Sequence, residues 1–200
     1  MNLIEYFNQQ IFLNINAPAN ASQLMISLAH FFAQTLPTFT PVILIALWLY
    51  GDEKSRELVL KTVFVFAVAM LLNLLVHTLW FHPRPFMIHL GTNFLHHGPD
   101  SAFPSDHMTT ASAVAWTFVL GRKRAMAVLF TVLALTVGWA RVYLGVHFPL
   151  DIMGSVVVAG VACAGLASLW PKISAFVLPA ALKAYRELLA WPIAKGWVGR

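Results

Sequence analysis

Residues 58–80 read LVLKTVFVFAVAMLLNLLVHTLW. A helix crossing the hydrocarbon core of a bilayer needs about 20 predominantly apolar residues. This run supplies them with a single charge, Lys61, near its start and Trp80 at its end, where interfacial aromatics gather. Backbone polar groups in hydrocarbon must be satisfied within the chain itself, so such a run is read as a helix.

Working outward, Met108 to Leu120, Arg124 to about Tyr143 and Pro149 to Trp170 have the same character. Upstream, Gln23 to Gly51 is apolar but broken by Pro37 and Pro41, and reads either as two short spans meeting near Thr35–Thr40 or as one long kinked span, the count below taking it as two. The expected fold is therefore all-α, a polytopic membrane bundle of about six transmembrane helices in a single domain over residues 1–200. A single kinked span over 23–51 would change only the side on which the N-terminus lies. Residues 2–21, with Asn14, Asn16, Pro18 and Asn20 as breakers, are expected to be an interfacial lead-in. After Pro171 the pattern becomes amphipathic, with Lys183, Arg186 and Glu187 among Leu182, Tyr185, Leu188, Leu189 and Trp191. Residues 171–200 are thus expected to lie at the interface. Ser155 with Ala159, and Gly160 with Ala164, give a small-residue spacing that admits close helix contact.

Composition excludes an ordinary soluble domain. Apolar residues make up 59% and charged residues 10% of the chain, and its mean hydropathy is +0.72; a soluble domain is about 25% charged. The net charge of +5 comes from short basic clusters between apolar runs, which suits anionic lipid headgroups rather than nucleic acid. Cys163, the single cysteine, lies inside an apolar run and is read as a packing residue. No Lys or Arg occurs in the first 21 residues, so a cleavable signal is not expected and the first apolar segment is read as retained.

The basic residues also orient the chain. With six spans, Lys54, Arg56, Lys61, Arg122, Lys123, Arg124, Lys172, Lys183, Arg186, Lys195 and Arg200 fall on one side, and only Arg84 and Arg141 on the other. The side rich in Lys and Arg is cytoplasmic. The two exceptions therefore face outward, in the company of the chain's most reactive side chains.

Those side chains lie between Arg84 and Asp151. Arg84-Pro85 closes one span, Pro104-Ser105-Asp106-His107 opens the next, and Arg141, His147 and Asp151 flank the last. Guanidinium binds phosphate through a rigid fork, and imidazole near neutrality transfers protons or attacks electrophiles. Singly, Arg84 reads as an interfacial arginine and Ser105 as a helix N-cap. A helix N-terminus also binds phosphate. Pro149 suits the first position of a helix, so Asp151 lies one turn from His147 and can hold one ring nitrogen. Asp106 either pairs with a cation or tunes His107. His82, His89, His96 and His97 match no standard metal-ligand spacing, so no metal is expected.

These residues resemble the motifs of the type 2 phosphatidic acid phosphatase superfamily, K-x6-R-P, P-S-G-H and S-R-x5-H-x3-D. The chain has Arg84-Pro85, Pro104-Ser105-Asp106-His107 and Ala140-Arg141 followed by His147 and Asp151. The resemblance spans about 57–170. It departs at His77, which stands at the lysine position, at Asp106 in place of glycine, and at Ala140 in place of serine. Asp106 and the string Phe81-His82-Pro83-Arg84-Pro85-Phe86 are similar to the bacterial undecaprenyl-diphosphatase branch. The resemblance implies a bacterial inner-membrane enzyme with its site toward the periplasm, acting on a polyprenyl diphosphate without a cofactor. It implies His147 as nucleophile, Asp151 as its orienting partner and His107 as general acid. Arg84, Arg141 and Ser105 are then phosphate ligands, with His77 a candidate replacement for the lysine. A phosphatidate or phosphatidylglycerophosphate phosphatase and a lipid phosphotransferase share the first half-reaction. A transporter is a different class, disfavoured by the absence of an inverted repeat.

Overall fold

The computed structural model describes residues 3–199; Met1, Asn2 and Arg200, which the expectations above include, lie outside them. The described residues form α1 (Leu3–Ile15), α2 (Gln23–His30), a π-helical turn (Phe31–Thr35), α3 (Leu36–Tyr50), α4 (Glu53–Leu79), a 3-10 turn (Pro85–Ile88), α5 (Asp106–Leu120), α6 (Arg124–Tyr143), α7 (Pro149–Leu188) and α8 (Ala190–Ala194).

The six transmembrane helices expected are corrected to four of transmembrane length, with α5 a shorter helix inside the bundle. Among the described residues, Gln23–Tyr50, Glu53–Leu79, Arg124–Tyr143 and Pro149–Leu188 are long and apolar enough to cross a membrane. The first difference is at 23–51, where one helical run replaces the two expected. A proline removes one ladder hydrogen bond and pushes away the carbonyl four residues back. Here the π turn ahead of Pro37 absorbs the misfit: the Leu36 N–H bonds Phe31 O, and the helix continues through Pro41. The second difference is α5, whose 15 residues measure only about 22 Å.

Helix α5 has no need of span length because other helices enclose it. It packs against α4, α6 and α7, and Met108, Thr109, Ser112, Ala113, Val114, Ala115, Thr117 and Phe118 bury most of its circumference. The outer helices bury one stripe each. On α4 the stripe is Leu58, Thr62, Val65, Ala69 and Asn73, at helical spacing. Leu71, Leu74 and Leu75 on its other face are exposed, as befits side chains solvated by lipid. The expected small-residue contact is seen at Ser155 and Ala159, both fully buried, and buried Cys163 packs in the same cluster.

Both ends of the described chain are helical and docked. Helix α7 runs unbroken through Pro171 and Pro179 for 40 residues, about 60 Å, so the amphipathic tail continues the last span. Its far end is held by Tyr185. Tyr185 is buried beneath Arg56 (4.6 Å from the ring centre) and donates its hydroxyl to Gly199 O at 2.6 Å. At the other end α1 is a docked helix. Asn16 accepts from Thr92 N–H (2.7 Å) and donates to Thr92 O and Tyr143 O, while Asn8 Oδ1 accepts the Leu150 N–H at 3.1 Å. That last bond satisfies one of the N–H groups left open at the start of α7. With one span over 23–50, α1 lies on the same side as the 80–105 loop, which it touches through Asn16.

Candidate functional site

The site is built where α7 begins. Pro149 occupies its first turn, where a missing N–H costs nothing. Asp151 reaches back so that Oδ2 accepts the Phe148 N–H at 2.7 Å. His147 lies just ahead of the helix, nearly fully buried, with Nδ1 3.4 Å from Asp151 Oδ2.

Arg84 meets the opposite edge of the ring. It is extended (φ −74°, ψ 156°), as a residue before proline should be. Its Nη1 donates to Val146 O at 2.9 Å and lies 3.1 Å from His147 Nε2; Nη2 reaches Ser101 O at 3.3 Å and Nε reaches Asp100 at 2.7 Å. Guanidinium carries donors only, so Nε2 must be the accepting nitrogen. The proton of neutral His147 then sits on Nδ1, toward Asp151, and the Nε2 lone pair faces the arginine.

Besides His147 Nδ1, whose 3.4 Å approach to Asp151 falls short of a formed hydrogen bond, two nearby residues carry unsatisfied groups. Arg141, on the last turn of α6, is buried with no protein acceptor for Nε or Nη2. Ser105 precedes α5; its N–H binds Ser155 Oγ at 2.8 Å, and its own buried Oγ has no protein partner. Buried donors are nearly always paired, so unpaired ones beside a helix N-terminus describe a place for an anion. The charges of Arg84 and Arg141 both act on His147 and on His107, which puts these four groups in one electrostatic neighbourhood.

Removal from water, foremost, pulls His147 down to about 4, against the opposing pull of Asp151. It is therefore neutral at physiological pH. Desolvation and then the Arg141 charge pull His107 down to about 4 as well. A dianion bound beside the two guanidiniums would offset their charges and raise His107.

His107 also lines an open groove of about 180 Å³ running from Asp106 along α5 to Leu36, Val114, Phe130 and Leu133. Asp106 is held by Asn73, whose Nδ2 donates to it at 2.9 Å and whose Oδ1 accepts from Thr109 at 3.1 Å, and its charge acts on His107 and Arg141. His77 Nε2 is 2.9 Å from Pro104 O, so its proton supports the turn before Ser105. The loop histidines do not gather, and among the described residues no three His, Cys, Asp or Glu side chains converge on a metal position.

Sequence reasoning missed several contributors. Ser155 was legible only as a small packing residue, yet it ties Ser105 to Asp151 O through bonds of 2.8–3.0 Å to Ser105 and 2.7 Å to Asp151. Asp100 and Asn73 carried no signal beyond being polar. His82 was visible as one loop histidine of four and as part of the Phe81–Phe86 string, with no role attached; its Nδ1 lies 3.2 Å from Asp151 Oδ1.

The chain matches the PAP2 superfamily model over residues 58–175. It is 37% identical to YbjG of Escherichia coli (strain K12), over 98% of this chain and 99% of that protein. It is 32% identical to the undecaprenyl-diphosphatase BcrC of Bacillus subtilis (strain 168), over 76% of this chain and 78% of the relative. Its fold resembles Aquifex aeolicus LpxE, with a TM-score of 0.66 and 24% identity over 79% of this chain and 93% of that one. It also resembles a PAP2-type phosphatidylglycerolphosphate phosphatase from Bacillus subtilis, with a TM-score of 0.62 and 20% identity over 88% and 90% of the two chains. The chain is therefore a membrane phosphatase of the PAP2 superfamily, acting on lipid phosphates.

Proposed function

We propose that this phosphatase hydrolyses undecaprenyl diphosphate to undecaprenyl phosphate and inorganic phosphate through a phosphohistidine, recycling the lipid carrier of cell-wall synthesis. The observation that supports the mechanism is the line Asp151–His147–Arg84, which leaves Nε2 unprotonated and facing Arg84, the residue read as a phosphate ligand. His147 Nε2 attacks the terminal phosphorus, and the bond from that phosphorus to the bridging oxygen breaks. His107 gives its proton to the departing lipid phosphate. It then takes a proton from water, whose oxygen attacks phosphorus and breaks the P–N bond, releasing phosphate and restoring His147. Arg84, Arg141 and the start of α5 at Ser105 hold the equatorial oxygens, where preorganised donors contribute most to phosphoryl transfer.

The substrate assignment draws on the relatives. BcrC is named an undecaprenyl-diphosphatase, and YbjG carries that activity in its name provisionally. The groove leaving His107 is walled by Leu36, Val114, Phe130 and Leu133, an environment suited to an apolar chain beside the phosphate. The segments expected to face outward put the reaction on the periplasmic face. The test is phosphate release by purified protein from undecaprenyl diphosphate and from phosphatidylglycerophosphate, each with EDTA present. A kcat/KM at least about tenfold higher on the diphosphate, unchanged by chelation, is expected. Preference for phosphatidylglycerophosphate overturns the substrate; loss of turnover restored by a divalent ion overturns the mechanism.

A further inference from the structure

The carboxylate behind His147 has a second partner. Asp151 divides its oxygens: Oδ2 accepts from Phe148 N–H and faces His147, whereas Oδ1 lies 3.2 Å from His82 Nδ1. His82 Nε2 in turn lies 3.5 Å from Glu5 Oε2 on α1. Asn8 and Gln9 donate to the two oxygens of that glutamate at 3.3 and 3.1 Å. The His82 ring is flanked by Trp80 and Phe148, each 5.6 Å away between centroids. Its backbone is tied across the loop, with His82 O accepting from Ala102 N–H at 2.7 Å.

We propose that His82, steadied by Glu5, is a positioning residue for the phosphoryl transfer, its Nδ1–H fixing Asp151 so that Oδ2 stays aimed at His147. The inference rests on His147 being the nucleophile. At 3.4 Å the His147–Asp151 contact is too long to orient the carboxylate alone, and the Phe148 N–H holds only one oxygen. A donor on Oδ1 removes the remaining rotation of the carboxylate. An imidazole between two carboxylates is also the group best suited to supply that donor as a cation. Glu5, His82, Asp151 and His147 thus form one line joining the N-terminal helix to the nucleophile.

The line makes a pH prediction. The groups facing His82 are Asp151 on one side and Glu5 on the other; the aromatic neighbours carry no charge, and Arg84 meets His147 instead. Burial pulls His82 down, but its bond to Asp151 and the charges of Asp151 and Glu5 outweigh that and raise it above 6.5. Its cationic clamp is therefore complete below 6.5 and is lost as pH rises through the raised value.

The experiment measures kcat, KM and the pH profile of lipid-diphosphate hydrolysis for His82→Ala, His82→Asn and Glu5→Gln, with thermal stability in detergent alongside. Removing the group behind a working imidazole costs about 10–100-fold at metal sites. His82→Ala is expected to lower kcat by a similar factor with KM unchanged. Asparagine places an N–H where Nδ1 was, so His82→Asn should recover most of kcat and alter the alkaline limb of the wild-type profile, losing the contribution of His82 and keeping that of the general acid His107. Glu5→Gln should shift that limb to lower pH. If His82→Ala fails to fold, the asparagine and Glu5 variants decide. Wild-type kcat and an unaltered alkaline limb in folded His82→Asn and Glu5→Gln overturn the proposal. Absence of phosphate release by the wild type from any lipid phosphate overturns the function proposed above and this inference together.

Discussion

Arg141→Met is expected to stabilise the protein while disabling it. The Arg141 side chain is 2% exposed, and two of its nitrogens have no protein acceptor. An unsatisfied buried donor costs about 1–3 kcal/mol, and Arg84 adds a like charge nearby. Methionine fills a similar volume without those donors. Allowing for partial hydration of the open pocket, the net gain is about 1–3 kcal/mol, seen as a higher unfolding temperature in detergent. Losing a donor aimed at transition-state charge typically costs about 10²–10³ in kcat. The two effects are read on one preparation, by thermal unfolding and by phosphate release from undecaprenyl diphosphate. Adding vanadate, an oxyanion of phosphate's shape, supplies the decisive arm. It should raise the unfolding temperature of the wild type, where Arg141 gains its partner, and leave Arg141→Met unmoved. A variant less stable than wild type, still stabilised by vanadate, would refute the claim that the site is held open for an anion.

The nucleophile is checked by rapid-quench trapping of labelled phosphoenzyme. His147→Ala should form no acid-labile, base-stable adduct, and Asp151→Asn should form it slowly. His107→Ala should lose about 10²–10⁴-fold in turnover, and less on a lipid diphosphate than on a monophosphate, whose leaving group needs its proton more. Because burial holds His147 near 4, the acid limb of kcat/KM should fall near pH 4, well below ordinary histidine; a limb at 6.5 would contradict the buried-nucleophile geometry. For topology, Gly98→Cys and Arg124→Cys in a Cys163→Ala background are exposed to an impermeant maleimide in spheroplasts. Position 98, where an added side chain meets open space, should label and position 124 should not.

Much of this protein can be read from local chemistry. A run such as 58–80 has no soluble alternative, because hydrocarbon admits only backbones that satisfy themselves. The motif residues Arg84, Ser105, His107, Arg141, His147 and Asp151 announce themselves because each is costly at the edge of an apolar segment unless it has work to do. The i to i+4 spacing of His147 and Asp151 is enough to predict their meeting. What local chemistry left open was any question whose answer lies in a neighbour distant along the chain. Whether Pro37 ends a helix depends on the π turn before it. Whether a 15-residue segment suffices in the bundle depends on the helices around α5, which shield it from lipid. Asp106 found its partner 33 residues away in Asn73, and His82 found Glu5 and Asp151 on two other elements, 77 and 69 residues distant. Periodicity and propensity act over one or two helical turns. The groups that hold the carboxylate behind His147 become neighbours only when α1, the 80–105 loop and the start of α7 are packed together.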